Sequence, residues 1–388
     1  MPGKAGFLYK KITRKDFLIK AGIAAGTIAI GAYGIKSLLN HENKPKQELW
    51  KWSKEAYYYT KGKVAHCRVC PNSCALSEGE RSVCRVKTNL GGRLYTLVYG
   101  NPCAVNIDPI EKKPLFHFLP KSMIYSIATA GCTFRCKNCQ NWQISQFPPE
   151  ETTNMEMFPE DVVDNAVEKD SMSIAYTYSE PTAFYEYMYD TAKIAKQRGL
   201  KNVVVTNGSI NEAPLRDLCK YLDAAQVDIK GWDEKTYMDL NSGRLKPVLD
   251  ALKVYKEEGV WLEVSTLVVP GYSDNIDDIK SMSEWLYKNI GPDTPFHLLR
   301  FHPQYKLTHL PMTPVEKLNK ARAVAIDAGL KFVYIGNVPG SEAQNTYCPR
   351  DNSICIERNG YLVKKINIDK EGFCRCGEKI AGVWKSGI

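Results

Sequence analysis

Three cysteines that follow an apolar strand place the strongest constraint on the fold and chemistry of this chain. Cys132, Cys136 and Cys139 are spaced C-x3-C-x2-C in a loop directly after the predicted strand Ile124–Ala128. Soft thiolates this close together can bind three corners of one iron–sulfur cluster. Three ligands leave one iron without a protein ligand, which is the open position that a catalytic metal site needs. From the residues alone, a zinc loop that borrows a fourth ligand and a chance grouping remain open.

The pattern around this loop predicts an α/β fold. Apolar strands alternate with amphipathic helices from about Met123 onward, and Gly199 and Gly259 stand where helices would end. Repeated strand–helix units favour a parallel sheet with right-handed crossovers, which curls into a barrel or half-barrel. The predicted strands are Ile124–Ala128, Ser173–Tyr178, Asn202–Thr206, Gln226–Ile229, Trp261–Val268, Phe296–Phe301 and Lys331–Ile335. The predicted helices include Thr182–Arg198, Ile276–Asn289 and Pro314–Ala328.

Polar residues follow several of these strands. In a parallel barrel the active-site groups lie at the carboxyl ends of the strands. Asp228 and Lys230 share one face there, because side chains alternate along a strand. The plain alternatives are that Glu180 is a surface glutamate before the turn-forming Pro181, that Asp228 and Lys230 form an ordinary ion pair, and that His302 is a structural histidine. The candidate site residues are Ser179, Glu180, Asn207, Asp228, Lys230 and His302.

With these features the chain resembles the radical S-adenosylmethionine (SAM) superfamily, whose signature is C-x3-C-x2-C after a first barrel strand. The resemblance implies a [4Fe–4S] cluster on Cys132, Cys136 and Cys139 whose free iron binds SAM. It further implies reductive cleavage of SAM to a 5′-deoxyadenosyl radical, hydrogen abstraction from a substrate, and a low-potential electron donor of the flavodoxin or ferredoxin type. By the same resemblance Ser179 and Glu180 would receive the SAM ammonium group.

Other motifs resemble a narrower group. Asp228 and Lys230 are similar to the Asp-x-Lys of glycyl-radical-enzyme activases, and His302 would lie near the ribose or adenine. The runs from Asp108 to Phe118, Cys139 to Trp142 and Gly382 to Trp384 resemble AmmeMemoRadiSam-system radical SAM enzymes. These are relatives of pyruvate formate-lyase activating enzyme, and the resemblance covers about residues 65–384. It implies an unidentified substrate, either a small molecule or a partner protein of the same system.

Two alternatives remain beside that reading. One is a glycyl-radical-enzyme activase like pyruvate formate-lyase activating enzyme. The other is a non-catalytic iron–sulfur electron-transfer or zinc-scaffold protein. Release of 5′-deoxyadenosine would favour the enzymes, and a glycyl radical on a partner would favour the activase.

Two further cysteine groups flank the predicted barrel. Cys67, Cys70, Cys74 and Cys84 are spaced C-x2-C-x3-C-x9-C, which suffices for zinc or a second iron–sulfur cluster, with unliganded thiols as the alternative. The C-terminal group resembles a zinc ribbon with broken pairs, either metal-bound or a metal-free remnant: Cys348, Cys355, Cys374 and Cys376. We expect four parts: a leader and linker (1–50), a Cys-rich module (51–120), a radical SAM core barrel (121–340) and a ribbon-like extension (341–388).

The sequence of the leader predicts a location at a membrane. A basic run, Lys10–Lys20, precedes fifteen uncharged residues, a signal-type pattern. It resembles a twin-arginine export signal with Lys15 in place of the second arginine. A retained anchor and an interfacial helix stay open, as does a cytoplasmic location, because SAM and the electron donor are cytoplasmic. The chain has a net charge of +9, and residues 1–50 contribute most of it, with nine basic and three acidic residues. Because the positive charge belongs mainly to the leader, it is weak evidence for a nucleic-acid partner.

Overall fold

The computed structural model describes residues 51–384. The leader predicted for residues 1–50 lies outside the described residues, as do residues 385–388. Among residues 51–384, none of the helices combines the length and the apolar character needed to cross a membrane.

Two small antiparallel sheets carry the first cysteine group, with strand orders β1-β6-β5 and β2-β3-β4. Their strands are β1 (Lys54–Glu55), β2 (Tyr59–Thr60), β3 (Ala65–Cys67), β4 (Ala75–Leu76), β5 (Lys87–Leu90) and β6 (Arg93–Thr96). Strands this short do not form stable sheets by themselves. Ala65, Val86 and Leu94 are buried in the same apolar cluster as residues of the main sheet, which stabilises both small sheets.

An eight-stranded sheet forms the core of the structure, with its strands in chain order from one edge to the other. The strands are β7 (Ala104–Pro109), β8 (Met123–Ala128), β9 (Ser173–Tyr176), β10 (Lys201–Thr206), β11 (Ala224–Asp228), β12 (Trp261–Val268), β13 (Phe296–Arg300) and β14 (Val333–Gly336). Strands β8 to β14 are parallel, which confirms the predicted α/β barrel fold. No pairing joins β7 to β14 within residues 51–384, so the barrel is partial.

Strand β7 corrects the expectation of a purely parallel sheet. It pairs antiparallel with β8, from Ala104 opposite Ala128 to Pro109 opposite Met123, and extends the sheet to the N-terminal side of residue 121. This edge strand is half exposed and ends in proline, so it lacks the apolar run that marks buried parallel strands.

Helices cover the outer face of the sheet. They are α1 (Trp142–Ser145), α2 (Pro159–Glu168), α3 (Tyr185–Gln197), α4 (Glu212–Cys219), α5 (Glu234–Thr236), α6 (Leu245–Glu257), α7 (Ile276–Asn289) and α8 (Val315–Asp327). Short 3-10 turns lie at Ile110–Lys112, Pro149–Glu151, Pro181–Phe184 and Glu342–Gln344, and a π-helical turn at Tyr237–Asn241. Local sequence sets their ends: the Asn275 side chain accepts hydrogen bonds from the backbone N–H groups of Asp277 and Asp278, which starts α7.

The inner face of the sheet differs between its two ends. Near the strand starts, Ile124, Ala175, Val203 and Ala224 form an apolar cluster. Nearer the strand ends the interior becomes polar, where the Gln226 side-chain amide donates to Ser265 Oγ (2.7 Å) and to Asp228 Oδ1 (3.2 Å). Chemistry that needs polar side chains therefore belongs at the strand ends.

The C-terminal extension closes the opposite, apolar end. A three-stranded antiparallel sheet comprises β15 (Thr346–Tyr347), β16 (Ile354–Asn359) and β17 (Leu362–Ile366). The chain then returns so that Val383 bridges Phe118 and packs against the apolar interior cluster.

Candidate active site

The loop between β8 and α1 carries the three cysteines of the C-x3-C-x2-C motif. Cys132 and Cys136 are buried and Cys139 is half-buried. Two sulfurs face N–H donors: the backbone nitrogen of Phe134 is 3.3 Å from Cys132 Sγ, and the Asn241 side-chain nitrogen is 3.1 Å from Cys136 Sγ. N–H donors stabilise anionic sulfur, the form in which cysteine binds iron, and they tune iron–sulfur clusters.

The π-helical turn before α6 cradles this loop. The Arg135 backbone nitrogen donates to the Asn241 carbonyl at 2.8 Å, and the Lys137 backbone nitrogen donates to the Leu240 carbonyl at the same distance. Turns of this kind frequently occur at functional sites. Asn241 was not among the predicted site residues, because no spacing in the sequence connects it to the cysteines 100 or more positions earlier.

Glu180 ties the end of β9 to the end of β10. The side chain is buried, and its Oε1 accepts hydrogen bonds from Thr206 Oγ1 (2.7 Å) and the Thr182 backbone nitrogen (3.0 Å). Its Oε2 accepts from the Asn207 backbone nitrogen at 2.9 Å. Burial raises the pKa of Glu180, and these donors oppose that shift. The carboxylate is therefore held rigidly at the edge where the strands end.

Asn207 and Ser179 extend this arrangement in two directions. The Asn207 side-chain nitrogen lies 3.0 Å from Thr133 Oγ1 and 3.8 Å from Cys132 Sγ, so it contacts the cysteine loop. The buried Ser179 hydroxyl has no hydrogen-bond partner among the described residues. Because buried polar groups are normally satisfied, an orphaned hydroxyl beside Glu180 suits a position that a ligand fills.

Asp228 and Lys230 form an ion pair close to the cysteine loop. Lys230 Nζ is 2.8 Å from Asp228 Oδ2, and the Ser265 hydroxyl donates to the same carboxylate. Burial would raise the pKa of Asp228, but Lys230 and the hydrogen bonds hold it below its usual value. Burial raises the pKa of the Cys136 thiol to about 11, and the Lys230 ammonium opposes that rise. A positive charge thus stands beside the Cys136 sulfur.

The His302 side chain contacts the loop that follows β14. It is exposed beyond β13, with its Nε2 3.5 Å from the Asn337 carbonyl oxygen. Its neighbours reach the cysteine loop instead: the Gln304 side chain donates to the Gln140 carbonyl (3.3 Å), and the Lys306 backbone nitrogen donates to the Lys137 carbonyl (3.0 Å).

An ion pair on the antiparallel edge strand contacts the segment after β9 through the Tyr178 side chain. Asp108 on β7 lies 2.5 Å from Lys113 Nζ and accepts a hydrogen bond from the Tyr178 hydroxyl. Burial lowers the pKa of Lys113 to about 8, and Asp108 opposes this shift. Tyr178 adopts a left-handed backbone (φ 62°), and its carbonyl accepts a hydrogen bond from the Asn141 side chain at 2.7 Å. Sequence reasoning gave Asp108 and Lys113 no role, because their contact with the strand end depends on β7.

The first cysteine group is gathered and largely buried. Cys67, Cys70 and Cys84 are buried, and Cys74 is half-buried. Burial raises the pKa of the Cys70 thiol, and its neighbours Cys67, Cys84 and Cys74 raise it further. The four thiols therefore lie close enough to interact electrostatically.

This group packs directly on the cysteine loop of the barrel. Gly131 (φ 94°) approaches so closely that a Cβ there would lie 2.4 Å from the Cys84 carbonyl oxygen. The Asn72 side-chain nitrogen donates to the Thr133 carbonyl oxygen at a distance of 2.9 Å. The two cysteine groups are thus neighbours in space.

The cysteine loop fits an iron–sulfur cluster. All thirteen cysteines are free thiols. Sulfurs that bind different irons of one cubane lie farther apart than ligands of a single ion. Within residues 51–384, the one group of three or more ligand side chains with donor atoms all within 4.8 Å of one another is C-terminal, around Cys348 and Cys374. Two buried sulfurs with N–H donors and a third, half-buried sulfur on the same loop suit a cluster on Cys132, Cys136 and Cys139.

Comparisons with known proteins give the family and several relatives to which the chain is similar. The family model of the Radical SAM superfamily matches residues 126–286, from β8 into α7. An uncharacterized protein of Methanocaldococcus jannaschii is 48% identical over 331 residues, which cover 84% of this chain and 98% of that protein. The pyruvate formate-lyase-activating enzyme of Clostridium pasteurianum is 23% identical over 49% of this chain and 77% of its own length. A crystallised domain of pyruvate-formate lyase-activating enzyme from Bacteroides vulgatus covers 42% of this chain and 99% of its own, with 17% identity and a TM-score of 0.38.

Proposed function

Since the chain belongs to the radical SAM superfamily, we propose that it cleaves SAM reductively and abstracts hydrogen from a substrate in the polar end of the barrel. The observation that carries the proposal is the meeting of two sets of residues at one edge of the sheet. Cys132, Cys136 and Cys139 come from the loop after β8, while Glu180, Asn207 and Asp228 come from the next strand ends.

When bound at Cys132, Cys136 and Cys139, a [4Fe–4S] cluster supplies the electron that breaks a carbon–sulfur bond of SAM. The chain's own residues hold and orient the reactants. Asn241 and Phe134 donate N–H groups to the ligand sulfurs, which stabilises negative charge on them. The Lys230 ammonium beside Cys136 compensates charge in the same place.

Glu180 and Ser179 would orient SAM. The buried carboxylate has acceptor capacity left on Oε2, and the Ser179 hydroxyl is unpaired among the described residues. A carboxylate and a hydroxyl suit an ammonium group, because hydrogen bonds between charged partners are the stronger ones. Asp228, Gln226 and Ser265 then offer polar contacts for a substrate deeper in the barrel.

Product analysis after anaerobic reconstitution tests this proposal. Protein reduced with dithionite and given SAM should release 5′-deoxyadenosine, whereas Cys136→Ala protein should not. Cys219→Ala is the matched control, because Cys219 is also buried but belongs to helix α4. Equal release by the wild type and the Cys136→Ala variant would refute the proposal.

A glycyl-radical-enzyme activase is the second candidate for the same site. It is favoured by the partial similarity to the pyruvate formate-lyase-activating enzyme of Clostridium pasteurianum. Incubation with a candidate glycyl-radical protein, followed by electron paramagnetic resonance, separates the two. A glycyl doublet would support the activase, and its absence would leave a small molecule or another protein as the substrate.

The proposal includes a second iron–sulfur cluster on Cys67, Cys70, Cys74 and Cys84. Two observations support it: the segment that carries these cysteines packs against the loop of the first cluster, and the four thiols are not among the ligands gathered closely enough for a single ion. A cluster here would pass electrons inward from a flavodoxin or ferredoxin type of donor. Protein with Cys132, Cys136 and Cys139 all replaced by Ala should then retain about half of its iron. Loss of all the iron would argue against the second cluster.

A membrane location is also part of the proposal. It rests on the leader sequence, where the basic run Lys10–Lys20 precedes an uncharged stretch. Fractionation of cells that express the full chain, beside a chain without residues 1–44, tests it. Recovery of both proteins in the soluble fraction would contradict a membrane address.

A further inference from the structure

The turns before β16 and after β17 bring a second set of thiols together. Cys348 opens the first turn, where its carbonyl accepts from the Asn352 nitrogen (3.0 Å) and its nitrogen donates to the Ser353 carbonyl (2.8 Å). Cys374 begins the second turn, where its carbonyl accepts a hydrogen bond from the Gly377 nitrogen and its nitrogen donates to the Glu378 carbonyl, both at 2.8 Å. Each turn thus presents its cysteine side chain on a short, internally bonded loop.

The distances between these side chains match a single ion. Cys348 Sγ and Cys376 Sγ are 3.5 Å apart, and the ligand atoms of Cys348, Asp351, Cys374 and Cys376 all lie within 4.8 Å of one another. Ligands about 2.0–2.3 Å from a tetrahedral zinc ion stand roughly 3.3–3.8 Å from each other. The 3.5 Å separation exceeds the roughly 2.05 Å of a disulfide bond.

The chemistry of the set also favours zinc. Three thiols and one carboxylate are zinc ligands, and four protein ligands make a closed, structural site. Cys348 and Cys374 are buried, Cys376 is half-buried and Asp351 is exposed, so an ion could enter from the solvent side. From these observations we infer that Cys348, Asp351, Cys374 and Cys376 bind a structural zinc ion.

The position of this site indicates which part of the fold the zinc ion stabilises. Cys348, Cys355 and Cys374 pack in one apolar cluster with Phe116 and Tyr334 of the barrel. Beyond Cys376 the chain runs under the apolar end of the sheet, where Val383 bridges Phe118. The zinc ion fixes the start of this segment, so it holds in place the part of the chain that closes the barrel.

Metal analysis of the full chain tests the inference. Purified protein should contain a single zinc ion besides its iron, and Cys376→Ser should lose nearly all of that zinc. Cys70→Ser is the discriminating control, because it alters the other cysteine group and should leave the zinc content unchanged. Asp351→Asn should weaken zinc retention against a chelator, whereas Cys355→Ala should retain the ion. Full zinc in Cys376→Ser protein, or iron at this site, would overturn the inference.

A second measurement covers the case in which Cys376→Ser does not fold. Cobalt bound to the wild-type chain in place of zinc should show the visible absorption of tetrahedral thiolate coordination. Removal of the ion should speed amide hydrogen exchange in residues 110–119 and 346–384, and should leave residues 132–139 unchanged. Octahedral cobalt spectra, or unchanged exchange after removal, would refute the structural zinc site.

Discussion

A buried ion pair holds the first cysteine module on the barrel. Lys87 on β5 and Glu186 on α3 are 1% and 0% exposed, and Lys87 Nζ contacts the Glu186 carboxylate. Burial would lower the pKa of Lys87, but Glu186 raises it, so the lysine is an ammonium in the folded protein. Glu186→Gln would leave that charge buried without a counter-charge.

The expected cost is large. Removing one partner of a buried pair destabilises a protein by about 3–5 kcal/mol. With an unfolding entropy of about 2.1 cal/mol/K per residue over about 330 residues, this corresponds to a fall in Tm of roughly 4–7 °C. Replacing both partners with apolar residues, as Lys87→Met with Glu186→Leu, should recover most of the loss, because no uncompensated charge remains.

Thermal unfolding followed by circular dichroism measures the effect. Asp164→Asn is the matched control: its pair with Arg198 is 65% and 50% exposed, and exposed pairs contribute about 0–1 kcal/mol. That variant should unfold within about 1.5 °C of the wild type. Equal Tm values for Glu186→Gln and Asp164→Asn would refute the argument, and so would a double variant no more stable than Glu186→Gln.

Three further predictions concern single residues. Burial lowers the pKa of His117 to about 4, against about 6.5 when exposed, so its contribution to stability is complete above pH 6.5 and is lost as the pH falls towards 4. His117→Gln should therefore remove about 3 kcal/mol of the pH dependence in urea unfolding between pH 7 and 4, and unchanged dependence would contradict this. Asn241→Leu removes the N–H donor to Cys136, so redox titration of the reconstituted protein should give a lower reduction potential; an equal or higher value would contradict it. Gly131→Ala places a methyl group against the Cys84 carbonyl, so iron analysis should show loss of bound iron, and full retention would argue against that close approach.

The regular part of the fold could be predicted from sequence, because buried parallel strands have an unmistakable apolar pattern. Trp261–Val268 matches the predicted strand at both ends. Strand β7 was missed since its exposed Ile107 and terminal Pro109 do not give that pattern. The meeting of Gly131 with Cys84 was also beyond reach, because tertiary packing alone decides it.

The residues of the candidate site likewise divide into those that the sequence predicted and those that only the folded chain brings together. Asp228 and Lys230 were predicted to share a face, and their side chains do meet at 2.8 Å, as the alternation of a strand requires. Asn241 could not be found, because the π-helical turn that presents it has no signature in the sequence. Short-range periodicity therefore identifies strand ends, whereas contacts between distant loops need the folded chain.

One chain of hydrogen bonds connects the two halves of the site. The Glu180 carboxylate accepts from the Asn207 backbone, and the Asn207 side chain in turn lies beside Cys132 Sγ. Asn207 therefore contacts both the carboxylate proposed to receive the SAM ammonium group and a sulfur of the cysteine loop. We therefore expect ligand binding at Glu180 and the reduction potential at Cys132 to be coupled through Asn207, so that a substitution of Glu180 or Asn207 alters both.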